Sequence, residues 1–182
     1  MKQYQRAGLL AGLIFCSASA MAAPFTLQSS DFHNGGQLPL TMGGGGQCPG
    51  SNVSPDLSWQ NAPQGSKSFV LLIEDPQGAN GLGVTHFIGY GIAADHQHFA
   101  AGDLTAINGY TPGTNSKNVQ GYSGPCPPTT VDIHNYNFTL IATDIAANDL
   151  KKGLKKDEVM AKLAGHALGA AGLVGQFIVP TK

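Results

Sequence analysis

The chain is 182 residues long and carries ten Lys and Arg against eleven Asp and Glu, a formal net charge of −1. That length suits one domain with its own core. The near-neutral balance, with Arg6 as the single arginine, excludes a nucleic-acid surface, which needs clustered basic residues.

Lys2 and Arg6 lead into an apolar stretch from Gly8 to Phe15, and Ala20-Met21-Ala22 fits a small-x-small cleavage site. We expect residues 1–22 to be a cleaved signal peptide and residues 23–182 to form a single exported, periplasmic domain. The apolar run is too short to span a bilayer, so no stable membrane insertion is expected. Cys16 leaves with the leader, because bulky Phe15 before it makes a poor lipid-attachment site. Loss of Lys2 and Arg6 leaves eight basic residues against eleven acidic, a net of −3, and no arginine. Any bound phosphate then lacks the bidentate guanidinium fork.

Phe25-Thr26-Leu27 reads as a short strand and Gly43 to Gly46 as a mobile loop tip. Ser68 to Glu74 is apolar, partly β-branched and bounded by the turn signals Asn61 to Gly65 and Asp75 to Gly78, which predicts a buried strand. Val84 to Ile92 predicts another, and Asp132 to Thr143 the longest. From Lys155 to Leu168 the pattern changes to helical spacing, with Val159, Leu163 and Leu168 on one side and Asp157 and Glu158 near the start. Gly169 and Gly172 are expected to end this helix, and Gly175 to Val179 to form a last strand. The fold class is α+β, mostly β, around an antiparallel sheet with a C-terminal helix and a final strand.

Strand side chains alternate, so faces can be counted. His134, Tyr136, Phe138, Leu140 and Ala142 share one face, His86, Ile88, Tyr90 and Ile92 another, and Phe69, Leu71, Ile73 and Asp75 a third. Three strands thus place a polar group at one end of an apolar face, which predicts a pocket at the sheet edge. The Gly/Pro loop Gly121 to Pro128 lies close by in sequence, and such a loop holds backbone N–H groups in one geometry. Cys48 and Cys126 remain after processing, and two readings stand. One is a reactive thiol beside a histidine; the other is a disulfide, suited to an oxidising compartment.

Several ordered motifs resemble the phosphatidylethanolamine-binding protein family, in its bacterial Raf-kinase-inhibitor-like branch. They are Cys48 to Pro55 followed by Leu57-Ser58-Trp59, Asp75-Pro76-Gln77-Gly78-Ala79, His86-Phe87, Tyr122 to Pro128, and His134-Asn135-Tyr136. The resemblance implies a large antiparallel sheet packed on a smaller one, with the C-terminal helix alongside. It also implies a small anion pocket for phosphate-like head groups, formed by Asp75, His86, Tyr122, Gly124, Cys126, His134 and Tyr136, and a cis bond at Asp75–Pro76. Two positions depart from the family pattern: Gln77 replaces its second Asp, and Asn135 replaces the Arg between His and Tyr.

These observations predict a non-catalytic protein that binds a small anionic or phosphorylated ligand, with no cofactor and no metal. Backbone N–H groups of the loop after Tyr122, the two imidazoles and the Tyr136 hydroxyl would donate, and Asp75 would orient one ring. A hydrolase using a metal on Asp75, His86 and His134, or Cys126 with a histidine, is the rival reading. The chain has no His-Glu-x-x-His run and no Gly-x-Ser-x-Gly elbow to support it. A third reading is a module for a protein partner outside the cytoplasm, with Lys151, Lys152, Lys155, Lys156 and Lys162 as the candidate surface.

Overall fold

Apolar alternation organises this chain into two layers of strand. The computed structural model describes residues 23–128 and 133–179; the expected signal peptide and Asp132 lie outside them. A three-stranded sheet runs in the order β1 (Thr26–Gln28), β3 (Leu57–Gln60), β6 (His98–Phe99). A six-stranded sheet runs β2 (Gly36–Gln37), β9 (Ala167–Phe177), β8 (His134–Thr143), β4 (Ser68–Asp75), β5 (Val84–Ala93), β7 (Thr111–Pro112). Its pairings are antiparallel except at the edge, where β2 runs parallel to β9.

The faces counted in the sequence become the two sides of β4 and β8. Phe69, Leu71 and Ile73 of β4 and Tyr136, Phe138 and Leu140 of β8 pack with Leu27, Leu57, Trp59 and Phe99 of the small sheet. On the reverse side Val70, Leu72 and Ile141 pack with Val159 and Leu163 of helix α3 (Lys156–Leu163). Burying each such side chain is worth about 1.5–3 kcal/mol, and this two-sided burial holds the layers together. Two single turns, α1 (Gly78–Gly81) and α2 (Asp103–Ala106), interrupt the connections. Among the described residues no helix is long and apolar enough to cross a membrane.

Strict alternation fails in β5. Phe87 and Ile92 pack in the inter-sheet core, but Ile88 and Tyr90 pack under α3. Opposite Phe69 and Leu71 lie Ile92 and Gly89, and opposite Ile73 and Glu74 lie Phe87 and Thr85, so β5 carries one extra residue at each place. Two bulges of this kind each reverse the parity of the strand. The second leaves His86 as the extra residue, beside the last turn of β4.

The C-terminal region corrects the sequence reading. The helix stops at Leu163 rather than Leu168, and Gly165, at φ +81°, makes the left-handed exit that a helix end favours. Gly169 and Gly172 do not terminate it but lie inside β9, which pairs with β8 from Thr143 opposite Ala167 to His134 opposite Phe177. The Ala/Gly composition imitates a helix, while the small side chains are what close packing demands. A Cβ on Gly175, for example, would sit 2.3 Å from Leu38 Cδ2. At the helix start Glu158 accepts the Lys155 backbone N–H at 2.8 Å.

The Gly43–Gly46 region is also more than a free loop tip. Gly43 is buried, and Gly44 donates its N–H to the Pro125 carbonyl at 2.8 Å. The Asp75–Pro76 bond is trans, since no peptide among the described residues is cis, which corrects the expectation drawn from the resemblance.

Candidate functional site

Where β4 ends, β5 bulges and β8 begins, a cavity of about 430 Å³ opens at the sheet edge. Asp75, His86, Cys126, His134 and Tyr136 line it, together with Lys117 and Pro127. Five of the seven residues expected at the site therefore meet at one opening. Asp75 and His134 reach it from neighbouring strands whose register places Glu74 opposite Asn137. His86 reaches it through its bulge.

The polar geometry is specific. Asp75 Oδ1 accepts the backbone N–H groups of Gln77 and Gly78, both at 2.9 Å, which fixes the carboxylate. Asp75 Oδ2 lies 2.6 Å from His134 Nδ1, and both residues are buried. His86 Nδ1 lies 2.6 Å from the Ser123 carbonyl oxygen, and its ring meets Tyr136 edge to face with centroids 5.1 Å apart. Burial holds His86 below its ordinary pKa, opposed by the bond to Ser123 and reinforced by the Lys117 charge. Burial, then the charge of Asp75, pushes the Tyr136 phenol up, so it remains a hydroxyl. Tyr136 is fully buried, and its hydroxyl finds no hydrogen-bond acceptor among the described residues; the neighbouring Cys126 backbone N–H is a donor and opposes the rise in its pKa.

Tyr122 and Gly124 stand behind the wall instead of lining it. The Tyr122 hydroxyl donates to the Met42 carbonyl at 3.2 Å, and its N–H to Leu104. The Gly124 N–H donates to Asn52 Oδ1 at 2.8 Å, and Ser123 N–H to the His86 carbonyl. The loop's N–H groups from Tyr122 to Gly124 therefore turn inward, and of this loop only the Cys126 N–H acts on a cavity residue, the Tyr136 phenol. Packing is close: a Cβ on Gly124 would sit 2.0 Å from the Met42 carbonyl oxygen. Cys48 and Cys126 are joined in a disulfide with Cα atoms 5.4 Å apart, which ties the same two loops and leaves no Cys126 thiol to attack a substrate. Closing a loop of 78 residues is worth about 4.5 kcal/mol in the chain-entropy model.

Sequence reasoning missed two residues, Lys117 and Asn52, and the contact that Gln77 makes. Lys117 brings a cation to the rim from an irregular loop that carries no signal. Asn52, inside the Cys48–Pro55 motif, holds the Tyr122–Gly124 backbone through both ends of its amide. Gln77, a departure from the family pattern, touches the other departure directly. Its Oε1 accepts the Asn135 N–H at 2.6 Å and Nδ2 at 3.0 Å, and its Nε2 donates to the Ile133 carbonyl. The two departures are thus two amides bonded to each other, and they hold the β8 entry that carries His134 without charge. Among the described residues no group of His, Cys, Asp and Glu has the geometry to hold a metal ion.

A two-layer β-sandwich with a carboxylate–imidazole pair, a second imidazole and a phenol without an acceptor around an edge cavity makes a candidate small-ligand site. Comparison with known proteins narrows this. The model of the phosphatidylethanolamine-binding protein family matches residues 28–178, and the chain belongs to that family. It is similar to a UPF0098 protein of Methanothermobacter thermautotrophicus, 35% identical over 156 residues that cover 83% of this chain and 97% of that one. It is 36% identical over 156 residues to LppC, a candidate lipoprotein of Mycobacterium tuberculosis, covering 86% of this chain and 73% of that one. The crystal structure of Escherichia coli YbcL, described as a member of the mammalian PEBP family, superposes with a TM-score of 0.78 at 26% identity, covering 86% and 99% of the two chains.

Proposed function

We propose that this protein is an exported, non-catalytic binding protein whose edge cavity takes a small anion or a phosphorylated group. The observation that carries the reading is the Tyr136 hydroxyl. A buried donor without a partner costs about 1–3 kcal/mol, and a ligand oxygen in the cavity would supply the missing acceptor. Lys117 at the rim adds a cation, and the Asp75–His134 pair and His86 fix the wall around it. With one lysine and no guanidinium, binding in the micromolar to millimolar range is expected, about −8 to −4 kcal/mol. Export is supported by the leader-like residues 1–22, by the Cys48–Cys126 disulfide and by the likeness to LppC. The test is titration of inorganic phosphate into the mature protein, followed by calorimetry or by NMR of the histidine rings. His134→Ala should weaken binding at least tenfold. A variant that binds as well as the parent would remove the site.

A further inference from the structure

Both imidazoles of the cavity are pinned through the same ring atom. His86 Nδ1 faces the Ser123 carbonyl oxygen, which only accepts, so that nitrogen carries a hydrogen. His134 Nδ1 faces Asp75 Oδ2, and the other oxygen of that carboxylate already takes two backbone N–H groups, so Asp75 accepts here as well. Neither Nε2 has a hydrogen-bond partner among the described residues. When the rings are neutral, each Nε2 is a bare lone pair, so each ring presents an acceptor, not a donor. Beside donors that include the Tyr136 hydroxyl and Lys117, the wall therefore sets two acceptors, His86 Nε2 and His134 Nε2. A fully deprotonated anion satisfies the donors but sets its oxygens against both lone pairs.

Resting on the anion-site reading above, we infer that the cavity selects an oxyanion that carries its own hydrogen, such as hydrogen phosphate, over a hydrogen-free one such as sulfate. The P–O⁻ oxygens meet Tyr136 and Lys117, and a P–OH group donates to an imidazole Nε2. A site built to accept from a ligand hydroxyl rejects the analogue without it, because its own polar group is then left unpaired. Burial and Lys117 both favour the neutral form of His86, which keeps its acceptor in place.

The experiment compares inorganic phosphate, sulfate and methyl phosphate by calorimetric titration at about pH 8, where methyl phosphate, with a second ionisation near pH 6, has no hydrogen left on its oxygens. Phosphate should bind at least about tenfold more tightly than either of the others. His86→Phe, which removes the lone pair and keeps a ring against Tyr136, should bring the phosphate-to-sulfate ratio toward one. Phosphate and sulfate binding within about twofold of each other, with both weakened by His134→Ala, would overturn the inference and leave the anion site standing. Methyl phosphate binding as tightly as inorganic phosphate would also overturn it. If none of the three anions binds, the anion-site reading falls, and this inference with it.

Discussion

Replacing Tyr136 by Phe separates what the hydroxyl costs from what it does. The ring is fully buried and packs edge to face on both His86 and Phe177, contacts that Phe preserves. The hydroxyl hydrogen has no acceptor, so its removal relieves part of a desolvation penalty of about 1–3 kcal/mol. Taking about 1 kcal/mol, Tyr136→Phe should unfold about 2–4 °C higher than the parent in phosphate-free buffer. The same substitution takes away a donor to the anion, and losing one hydrogen bond to a charged group weakens binding about tenfold or more. At a phosphate concentration about 100 times the parent Kd, the parent gains about 2.7 kcal/mol and the variant only about 1.4. The variant's lead in plain buffer should therefore vanish in phosphate. Differential scanning calorimetry with and without phosphate reads both arms. A variant less stable than the parent without phosphate would refute the unpartnered hydroxyl, and one that keeps its full lead with phosphate would refute its contact with the ligand.

Acidification should cost stability through His86. Because burial lowers its pKa in the folded chain, the unfolded chain takes up the proton first, so stability holds above about pH 6.5 and declines below it toward the folded value. His86→Asn should flatten that part of a urea-midpoint profile against pH, and an unchanged slope would show that other groups produce it. Sulfate affinity should rise only at the acid end of that range, as pH falls through the lowered pKa of folded His86 and its Nε2 becomes a donor, which calorimetry at two pH values would check. Thiol titration of unreduced mature protein should find no free thiol, and Cys48→Ala with Cys126→Ala should lower stability by up to about 4.5 kcal/mol in denaturant melts. Gly124→Ala should abolish soluble expression, because the new methyl would meet backbone atoms of Met42 and Gly43 that cannot turn aside; a stable, folded variant would show that the two loops separate easily.

Much of the site was legible because β4 and β8 alternate without interruption. Asp75, His134 and Tyr136 could be assigned to one face by counting, and they lie there. His86 was placed correctly beside Ile92 only because the two bulges of β5 cancel; Ile88 and Tyr90, between them, fall on the other side. Bulges leave no periodic mark in a sequence. The direction of the Tyr122–Gly124 N–H groups was equally hidden, since it is decided by Leu104, His86 and Asn52, none of them a neighbour in sequence. In β9 composition misled, because alanine reads as helix where the only requirement is a side chain small enough for its neighbours.

The amide pair at Gln77 and Asn135 links the turn after β4 to the first residues of β8. Gln77 reaches the Asn135 backbone as well as its side chain, and the Ile133 carbonyl besides, so one side chain seams the two segments that carry Asp75 and His134. Because no ionisable group takes part in that seam, neither salt nor pH loosens it, and the spacing of the carboxylate and the imidazole does not depend on a surface ion pair.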